Sequence, residues 1–492
     1  MKVTLLLVFL GLLAFSAIAQ PTLYLDRQFA VSRDDSDVVY GSAVGYRGCL
    51  VSLLMDIYKP VNQLTLRPVV VLLHGGSLTA GDRHAPNIVA LADSLASRGY
   101  VVASVEYRLG YHQNPYIPQN WGCSIFQAIT GIDLDECAYP ADSLEMYRAH
   151  FRAVQDVKGA IRFLRGRSAQ DSTSKTSYFV GGESAGGIVA LGVGLMDLPS
   201  EKPAAAGAVA NAANPNTPLC PTNPCSTATS LARPDLGDIH GTIALNGESE
   251  EVLGVLDLFG GLLDPSIMDQ QLKKPRLYLH HQTCDPVIPF LRGRVYAALN
   301  TCISCYNCPV IGVVPFISGG GSVDAYNSAL PIGTQHEVWT DFETNGIPID
   351  CYFGTTGPSF TTCQQPYNTC PYCANALYGN CHSVALTPTR MARIADFLHD
   401  AILDATVSPM EIPLTVSPNP FSNYLEIRSN SKDQLSCEVQ LINIQGKVIA
   451  NSILEHGQTQ LLLPTSTLSV GVYELIVRDE SGRQFTRKLV KQ

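Results

Sequence analysis

The sequence predicts a parallel α/β sheet followed by a small all-β domain. Continuous apolar runs at residues 68–76 and 100–110 flank a segment with helical spacing and a glycine stop at 87–99. Such runs are typical of strands buried on both faces of a parallel sheet, and strand–helix alternation indicates right-handed βαβ crossovers. From about residue 404 the pattern changes to short alternating segments broken by Pro-Asn-Pro, Gln-Gly and Ser-Gly, which favours a β-sandwich.

The other elements of the first domain follow in chain order. A strand ending in proline is predicted at 53–60, and residues 151–165 place apolar side chains on one helical face. A strand at 176–182 leads into a helix at 186–196, and Thr387 caps a last helix that begins at Pro388. The remaining predicted strands lie at 239–247, 276–282 and 336–343.

Length, composition and charge limit the possible functions. The chain has 492 residues, 46% of them hydrophobic, so two or more well-buried domains are expected. The net charge of −10, with no long basic run, argues against nucleic acid or an anionic membrane surface as a partner.

The N-terminus has the pattern of a secretory signal peptide. Lys2 precedes an apolar stretch at residues 5–18, and Ala17-Ile18-Ala19 forms a cleavage site of small residues. A membrane anchor is the alternative, but the apolar stretch is short for a span. We therefore predict a signal peptide at 1–19, a catalytic domain at 20–403, a linker at 404–414 and a C-terminal domain at 415–492, with no later membrane span.

Cysteine usage agrees with export. Fourteen of the 15 cysteines lie between Cys49 and Cys381, and Cys437 is expected to remain a thiol. Most of the fourteen fall in three segments without strand–helix alternation, at about 111–143, 198–234 and 299–378. We interpret these segments as disulfide-stapled loops over the carboxyl ends of the strands, where α/β folds build their sites.

A nucleophile motif connects the strand at 176–182 to its helix. Residues 182–186 are Gly-Glu-Ser-Ala-Gly, a G-x-S-x-G pattern in which the glycines permit a tight turn that exposes Ser184 at a helix N-terminus. The alternative is a small-residue turn that packs a helix on a strand. The backbone N–H of Ala185 and those of Gly75 and Gly76, in the sequence His-Gly-Gly-Ser after an earlier strand, are the predicted oxyanion donors.

These motifs, in this order, resemble a secreted α/β-hydrolase of the carboxylesterase/lipase group, closest to feruloyl and acetyl-xylan esterases. The resemblance is close over residues 38–191 and looser beyond them. Ser77 departs from the pattern, because that group often has a third glycine there. The resemblance implies an α/β-hydrolase fold, a mostly parallel sheet with helices on both faces, and a triad in the order serine, acid, histidine.

The acid of the triad is predicted to follow a late strand. Asp285 does so in a turn that resembles the HG-x-x-D-x-x-VP turn of the family, and Glu248 is its rival. In the family the histidine lies between the last strand and the last helix, a position that His382 fits. His336 is the rival, although it begins the predicted last strand.

The cysteines beside the acid and the base predict a particular disulfide. Cys284 precedes Asp285 and Cys381 precedes His382, so a hydrogen bond between acid and base would bring the two cysteines within bonding distance. Cys381 could instead pair with Cys370 or Cys373. These two, with Cys302, Cys305 and Cys308, also have zinc-like spacing, but export favours disulfides and we predict no metal.

The last eighty residues resemble the C-terminal sorting domain of the type IX secretion system. The matching features are residues 417–421 (Ser-Pro-Asn-Pro-Phe), 443–449, 471–477 and the terminal Arg-Lys-Leu-Val-Lys-Gln. The resemblance implies export through the periplasm and outer membrane by that machinery. A carbohydrate-binding module is the alternative, but its expected aromatic cluster is not evident.

The sequence as a whole predicts a secreted or cell-surface serine carboxylic-ester hydrolase that needs no cofactor. Its substrate would be a small-molecule or polysaccharide-linked ester. A serine peptidase of the same fold and an inactive binding module are the alternatives. Four aromatic residues could line a substrate pocket or pack an insertion onto the domain: Tyr111, Tyr116, Trp121 and Phe126.

Overall fold

The computed structural model describes residues 22–112, 140–213, 230–269, 274–285, 287–295, 314–331, 333–344, 381–407, 414–429, 436–443, 447–479 and 484–492. The chain divides into two compact units, Met1–His399 and Asp400–Gln492. The predicted signal peptide at 1–19 lies outside the described residues, as do most of the predicted cysteine-rich insertions.

The first unit alternates strands and helices. Its strands are β1 (Val31–Val44), β2 (Leu50–Pro60), β3 (Arg67–Leu73), β4 (Val101–Val105), β5 (Thr173–Glu183), β6 (Val209–Ala213), β7 (Ser230–Arg233), β8 (Gly254–Leu258), β9 (Gly261–Leu262), β10 (Arg276–Gln282), β11 (Arg292–Arg294), β12 (Phe316–Gly319) and β13 (Val338–Glu343). The helices are α1 (Pro86–Ala96), α2 (Glu145–Gly166), α3 (Ser168–Asp171), α4 (Ala185–Leu195), α5 (Gly320–Ala329) and α6 (Pro388–Val407), the last crossing the division between the units. Turns of 3-10 helix cover Pro199–Glu201, Ala204–Ala206 and Pro265–Met268.

An eight-stranded sheet organises this unit, in the order β1-β2-β4-β3-β5-β8-β10-β13. Only β2 runs antiparallel to its neighbours, and every other adjacent pair from β4 to β13 is parallel. Because β3, β5, β8 and β10 are parallel neighbours, the segments that follow them meet at one edge of the sheet. This edge receives the predicted oxyanion loop, the serine turn and the predicted acid.

The core of the first unit follows from its apolar runs. Every residue of β3, β4 and β8 is buried, as continuous hydrophobic strands require in a sheet covered on both faces. Helix α4 packs against β5 and β8, and α2 packs against α4. Burying each large aliphatic side chain contributes about 1.5–3 kcal/mol, so this layered packing fixes the strand ends on which the site depends.

The predicted strand at residues 239–247 is wrong. The segment forms turns with positive φ at Gly241, Ala244 and Gly247, and the backbone oxygens of His240 and Ile243 accept hydrogen bonds from the Arg162 guanidinium instead of a neighbouring strand. The strand that pairs with β5 and β10 is β8, a few residues later. Its apolar run contains the buried Asp257.

The second unit consists of antiparallel strands, as the sequence predicts. Its strands are β14 (Leu414–Ser417), β15 (Tyr424–Ser429), β16 (Cys437–Asn443), β17 (Val448–Leu454), β18 (Gln460–Pro464), β19 (Gly471–Asp479) and β20 (Gln484–Lys491). They form a three-stranded sheet, β14-β15-β18, and a four-stranded sheet, β17-β16-β19-β20. Buried side chains of both sheets share one core, which includes Phe421, Ile427, Leu475 and the Cys437 thiol.

Candidate active site

The chain turns sharply between β5 and α4, and Ser184 is the residue at the turn. Its backbone has φ 53° and ψ −118°, a conformation that is rare for a residue with a side chain. The flanking glycines make the turn possible. A Cβ on Gly182 would lie 2.5 Å from the carbonyl carbon of Gly186, and a Cβ on Gly186 would lie 2.3 Å from the Leu73 oxygen. The turn thus places a serine hydroxyl at the helix N-terminus, where developing negative charge is favoured.

His382 lies between Ser184 and Asp285. Its Nε2 is 2.8 Å from Ser184 Oγ, and its Nδ1 is 2.7 Å from Asp285 Oδ2. Asp285 is buried, and its Oδ1 accepts the N–H groups of Val287 at 2.8 Å and Ile288 at 3.0 Å. These bonds orient Oδ2 toward the imidazole, an arrangement in which Nδ1 carries the proton and Nε2 is able to accept one from the serine hydroxyl.

The rival acid and the rival base are engaged elsewhere. Glu248 forms an ion pair with Lys175. His336 is buried, its Nδ1 lies 3.0 Å from the Pro275 oxygen, and its backbone N–H donates to Asn327. The structure therefore brings Asp285 and His382, and neither rival, to Ser184.

A disulfide joins the acid turn to the histidine loop. Cys284 and Cys381 are bonded, with their Cα atoms 5.4 Å apart, as the sequence predicts. Each cysteine directly precedes a member of the hydrogen-bonded pair, Asp285 and His382. The bridge therefore ties together two chain segments that are separated by 97 residues.

The loop after β3 passes beside the serine. A Cβ on Gly75 would lie 3.3 Å from Ser184 Cβ, a tight contact that shows how closely the loop approaches the serine. Gly76 has φ 112°, and a Cβ there would lie 2.1 Å from the Ala80 oxygen. Ser77, which replaces the third glycine of the resembling esterases, also has a positive φ of 60°. The loop thus keeps a conformation suited to glycine despite the substitution.

The rings of Tyr107 and His74 support the loop that follows β3. The Tyr107 hydroxyl donates to the His74 backbone oxygen at 2.8 Å, and the two rings stack with centroids 4.6 Å apart. Burial lowers the pKa of His74 to about 4, so this imidazole is neutral at pH 7. His74 is therefore a structural support for the loop and carries no charge into the site.

Burial and neighbouring charges shift the pKa values of two acids at the site in opposite directions. Burial favours the neutral form of Asp285, but the positive charge of His382 and the hydrogen bonds from His281 and His382 outweigh it and lower the pKa of Asp285. Burial raises the pKa of Glu183 despite the opposing effects of Asn87, His382 and the Gly75 N–H. Asp285 is thus held ionised, as the orientation and stabilisation of a histidine requires.

Phe259 is a site residue that the sequence reasoning missed. Its ring meets the His382 ring edge-on, with centroids 4.8 Å apart, from a backbone with φ 48°. It directly follows β8, and the wrong strand placement at 239–247 concealed that position. A correct assignment of β8 would have put residue 259 at the same edge as the serine turn.

His281 was also missed. It is buried, with Nε2 3.0 Å from the Ile288 backbone oxygen and 3.3 Å from Asp285 Oδ2, while its Nδ1 accepts the Gly320 N–H at 3.1 Å. Because Nδ1 is the acceptor in that bond, Nε2 carries the proton and is shared between the Ile288 carbonyl oxygen and the Asp285 carboxylate. The sequence feature that could have identified it is the pair of adjacent histidines, His280 and His281, near the end of β10.

Several predicted features lie outside the described residues. Tyr116, Trp121 and Phe126 do so, as do the five cysteines with zinc-like spacing, whereas Tyr111 is buried. In the part of the chain that the structure describes, no group of three or more His, Cys, Asp or Glu residues is placed to hold a metal ion. None of the helices described has the length and apolar character needed to cross a membrane.

Two family models match parts of the chain. Residues 55–119 match the BD-FAE family, an esterase-like domain, and residues 415–492 match the secretion system C-terminal sorting domain. No curated protein matches the chain.

Solved structures of esterases are similar to the chain. A truncated carbohydrate esterase from gut microbiota is 14% identical, with a TM-score of 0.38 and coverage of 76% of this chain and 97% of that chain. Thermogutta terrifontis esterase 2 phosphoramylated by tabun is 13% identical, with a TM-score of 0.37 and coverage of 75% and 96%, respectively. The propionate-bound form of the Thermogutta terrifontis enzyme is 14% identical, with a TM-score of 0.36 and coverage of 75% and 95%.

The fold and the family matches define the class of protein. The mostly parallel sheet, with the serine turn after β5, is an α/β-hydrolase fold, which confirms the predicted fold class. The first unit contains an esterase-like domain, and the chain ends in a type IX sorting domain. The protein is therefore an esterase-like hydrolase that is secreted or displayed at the cell surface.

Proposed function

We propose that the protein is a serine carboxylic-ester hydrolase that acts through an acyl-enzyme. The carrying observation is the hydrogen-bonded chain from Ser184 through His382 to the buried Asp285, with heavy-atom distances of 2.8 and 2.7 Å. A nucleophile, a base and an acid that orients the base are the groups that acyl transfer needs. The esterase-like match over residues 55–119 favours an ester over a peptide bond.

The reaction has two halves. Ser184 Oγ attacks the ester carbonyl carbon while His382 Nε2 takes the hydroxyl proton. The imidazolium then gives this proton to the departing alcohol oxygen and leaves the acyl group on the serine. Water, deprotonated by the same imidazole, attacks the acyl-enzyme, releases the carboxylic acid and restores the serine. Asp285 stabilises the imidazolium in both halves.

The oxyanion is held by backbone donors from the segments that border the serine. Ala185 begins α4, and Gly75 and Gly76 belong to the loop beside Ser184. We assign the oxyanion to the backbone N–H groups of Gly75, Gly76 and Ala185 together. Each such donor is worth about a hundredfold to a thousandfold in turnover.

The proposal also assigns a role in export to the two ends of the chain. The signal peptide at 1–19 directs the chain to the periplasm. The domain at 415–492 then directs it across the outer membrane through the type IX machinery, and the predicted linker at 404–414 begins with the last four residues of α6. The catalytic domain at 20–403 acts outside the cell on small-molecule or polysaccharide-linked esters.

Hydrolysis assays with purified mature protein test the function. p-Nitrophenyl esters from acetyl to longer acyl chains, feruloyl esters and chromogenic peptides are compared, for the wild type and Ser184→Ala. We expect ester turnover that falls by at least about three orders of magnitude in Ser184→Ala, because only binding and oxyanion contributions remain.

Each other outcome would favour a different function. Turnover of peptides alone would identify a peptidase, and no turnover by folded protein would favour a binding module. Near-normal ester turnover by Ser184→Ala would remove the serine from the mechanism.

A further inference from the structure

Gln282 is a buried amide at the end of β10, and both ends of its side chain are bonded. It is 5% exposed. Its Oε1 accepts the backbone N–H of Ser383 at 3.1 Å, and its Nε2 donates to Glu343 Oε2 at 2.9 Å. In the HG-x-x-D turn that this segment resembles, the same position is a glycine, which has no side chain to form either bond.

Glu343, which accepts the hydrogen bond from Gln282, is itself held in place. Glu343 ends β13, and its carboxylate also accepts a hydrogen bond from the Arg390 guanidinium. Arg390 donates through Nη1 to the Ala385 backbone oxygen at 2.7 Å. The amide of Gln282 therefore bonds to a carboxylate that is anchored to the same loop that carries His382.

His382 consequently has an anchored neighbour on each side. Cys381 is joined to Cys284 by the disulfide, and the Ser383 N–H is held by Gln282. The two residues that hold this loop, Gln282 and Cys284, lie in the same short segment, 282–285, as Asp285, which His382 contacts. Neither anchor touches the reacting atoms, but both restrict where the imidazole can lie.

We propose that Gln282 is a positioning residue for the base, acting in parallel with the Cys284–Cys381 bridge. The inference rests on the proposed function, since it assigns Gln282 a role through His382. The disulfide fixes residue 381 only, so the loop is able to pivot about that point unless residue 383 is also held. A displacement of about 1 Å at a reacting group costs about a hundredfold in rate, so a pivot would impair proton transfer.

The test compares substitutions that separate hydrogen bonding from packing. Gln282→Met keeps a side chain of similar length but loses both bonds. Gln282→Glu keeps an acceptor for the Ser383 N–H but places a second carboxylate against Glu343. Gln335→Met is the control, because Gln335 is exposed and, among the residues that the structure describes, its side chain bonds to the Ser328 and Leu330 backbone oxygens.

Two rates are measured for each variant: turnover of p-nitrophenyl acetate, and covalent labelling of Ser184 by a fluorophosphonate, which also needs an activated serine. For Gln282→Met we expect kcat and the labelling rate to fall together by about tenfold, with KM unchanged, since the disulfide still holds one side of the loop. Gln282→Glu should be intermediate, and Gln335→Met should equal the wild type.

The decisive comparison repeats Gln282→Met in a background that lacks the bridge, Cys284→Ala with Cys381→Ala. With both anchors removed, we expect the combined loss of kcat to exceed the product of the separate losses by about tenfold, since each anchor compensates for the other. Independent, multiplicative losses would overturn the parallel role.

Three other results would overturn either the role of Gln282 or the proposed function. A kcat of Gln282→Met within twofold of its own parent, both in the wild type and in the background without the bridge, would overturn the assignment. A rise in KM with kcat unchanged would also overturn it. Absence of both labelling and hydrolysis in the wild type would instead overturn the proposed function, and the role of Gln282 with it. The two failures differ because only the second appears in the unsubstituted protein.

Discussion

Replacing Asp285 by asparagine tests the hydrogen-bonded chain at its buried end. The carboxylate accepts on both sides, from His382 through Oδ2 and from the N–H groups of Val287 and Ile288 through Oδ1. An amide has one acceptor and one donor end. In one orientation of the asparagine, its NH₂ group faces the N–H groups of Val287 and Ile288, which are also donors. In the other orientation, the NH₂ group faces His382 Nδ1, and the imidazole must then carry its proton on Nε2.

The expected loss follows from these contacts. A hydrogen bond to a charged group contributes about 1.5–3 kcal/mol, and a buried polar group left unsatisfied costs about 1–3 kcal/mol. Together they amount to roughly 3–6 kcal/mol, which corresponds to a fall in kcat between about a hundredfold and ten-thousandfold. The wrong tautomer places the result toward the upper end, because a protonated Nε2 is unable to accept the serine proton.

Steady-state hydrolysis of p-nitrophenyl acetate measures this effect. Asp171→Asn is the matched control. Asp171 is also buried and bonded to Lys59 and Arg167, but it precedes the start of β5, whereas Ser184 follows its end. Because β5 pairs along β3 from Arg67 to Leu73, Asp171 and Ser184 lie near opposite ends of these strands. The control should lose stability but keep kcat. A kcat for Asp285→Asn within about fivefold of the wild type would refute the proposed role of Asp285.

Two further predictions concern stability. Removing the bridge with Cys284→Ala and Cys381→Ala should lower the unfolding free energy of the first unit by up to about 4–5 kcal/mol in urea, because a loop of 97 residues is no longer closed in the unfolded chain. Acid should also destabilise the wild type more steeply than Asp285→Asn. Since the folded pKa of Asp285 is lowered, its contribution is complete above the unfolded pKa of about 3.9 and disappears as pH falls through the folded pKa.

Each of these measurements has its own control. Cys437→Ala removes a buried sulfur from the other unit and should leave the unfolding transition of the first unit unchanged. An unchanged transition in the variant without the bridge would contradict the loop-closure estimate. For the acid series, parallel curves of unfolding free energy against pH in the wild type and Asp285→Asn would show that Asp285 has the same pKa folded and unfolded.

Six of the eight strands of the large sheet were predictable, and the clearest of them, β3 and β4, are buried on both faces. Runs such as Val69–Leu73 consist almost entirely of apolar residues, so the pattern alone identifies them. The error at 239–247 has the opposite cause. That segment is apolar enough for a strand, but Arg162 binds its carbonyl oxygens, and Asp257 disguises the true strand that follows. Local pattern does not show which carbonyl groups a distant arginine will take.

The serine turn was determined by local sequence. A glycine two residues before Ser184 and another two after it, between a strand and a helix, suffice for the turn, because the clashes that exclude a Cβ arise among residues of adjacent elements. The C-terminal unit was equally accessible, since its turns and alternating strands are local features. The disulfide was predictable only through the assumption that its neighbours share a hydrogen bond.

The choice among acids and histidines, and the roles of Phe259, His281 and Gln282, depended on tertiary structure. These residues come from strands and loops that are distant in sequence and meet only because β8, β10 and β13 are neighbours whose carboxyl ends share one edge. The sequence by itself determined the fold class, the nucleophile turn and the sorting domain, because each is encoded by contiguous residues. Only the folded sheet determined which acid and histidine face the serine, because hydrogen bonds across 97 and 198 residues depend on strand order and packing, which no local pattern encodes.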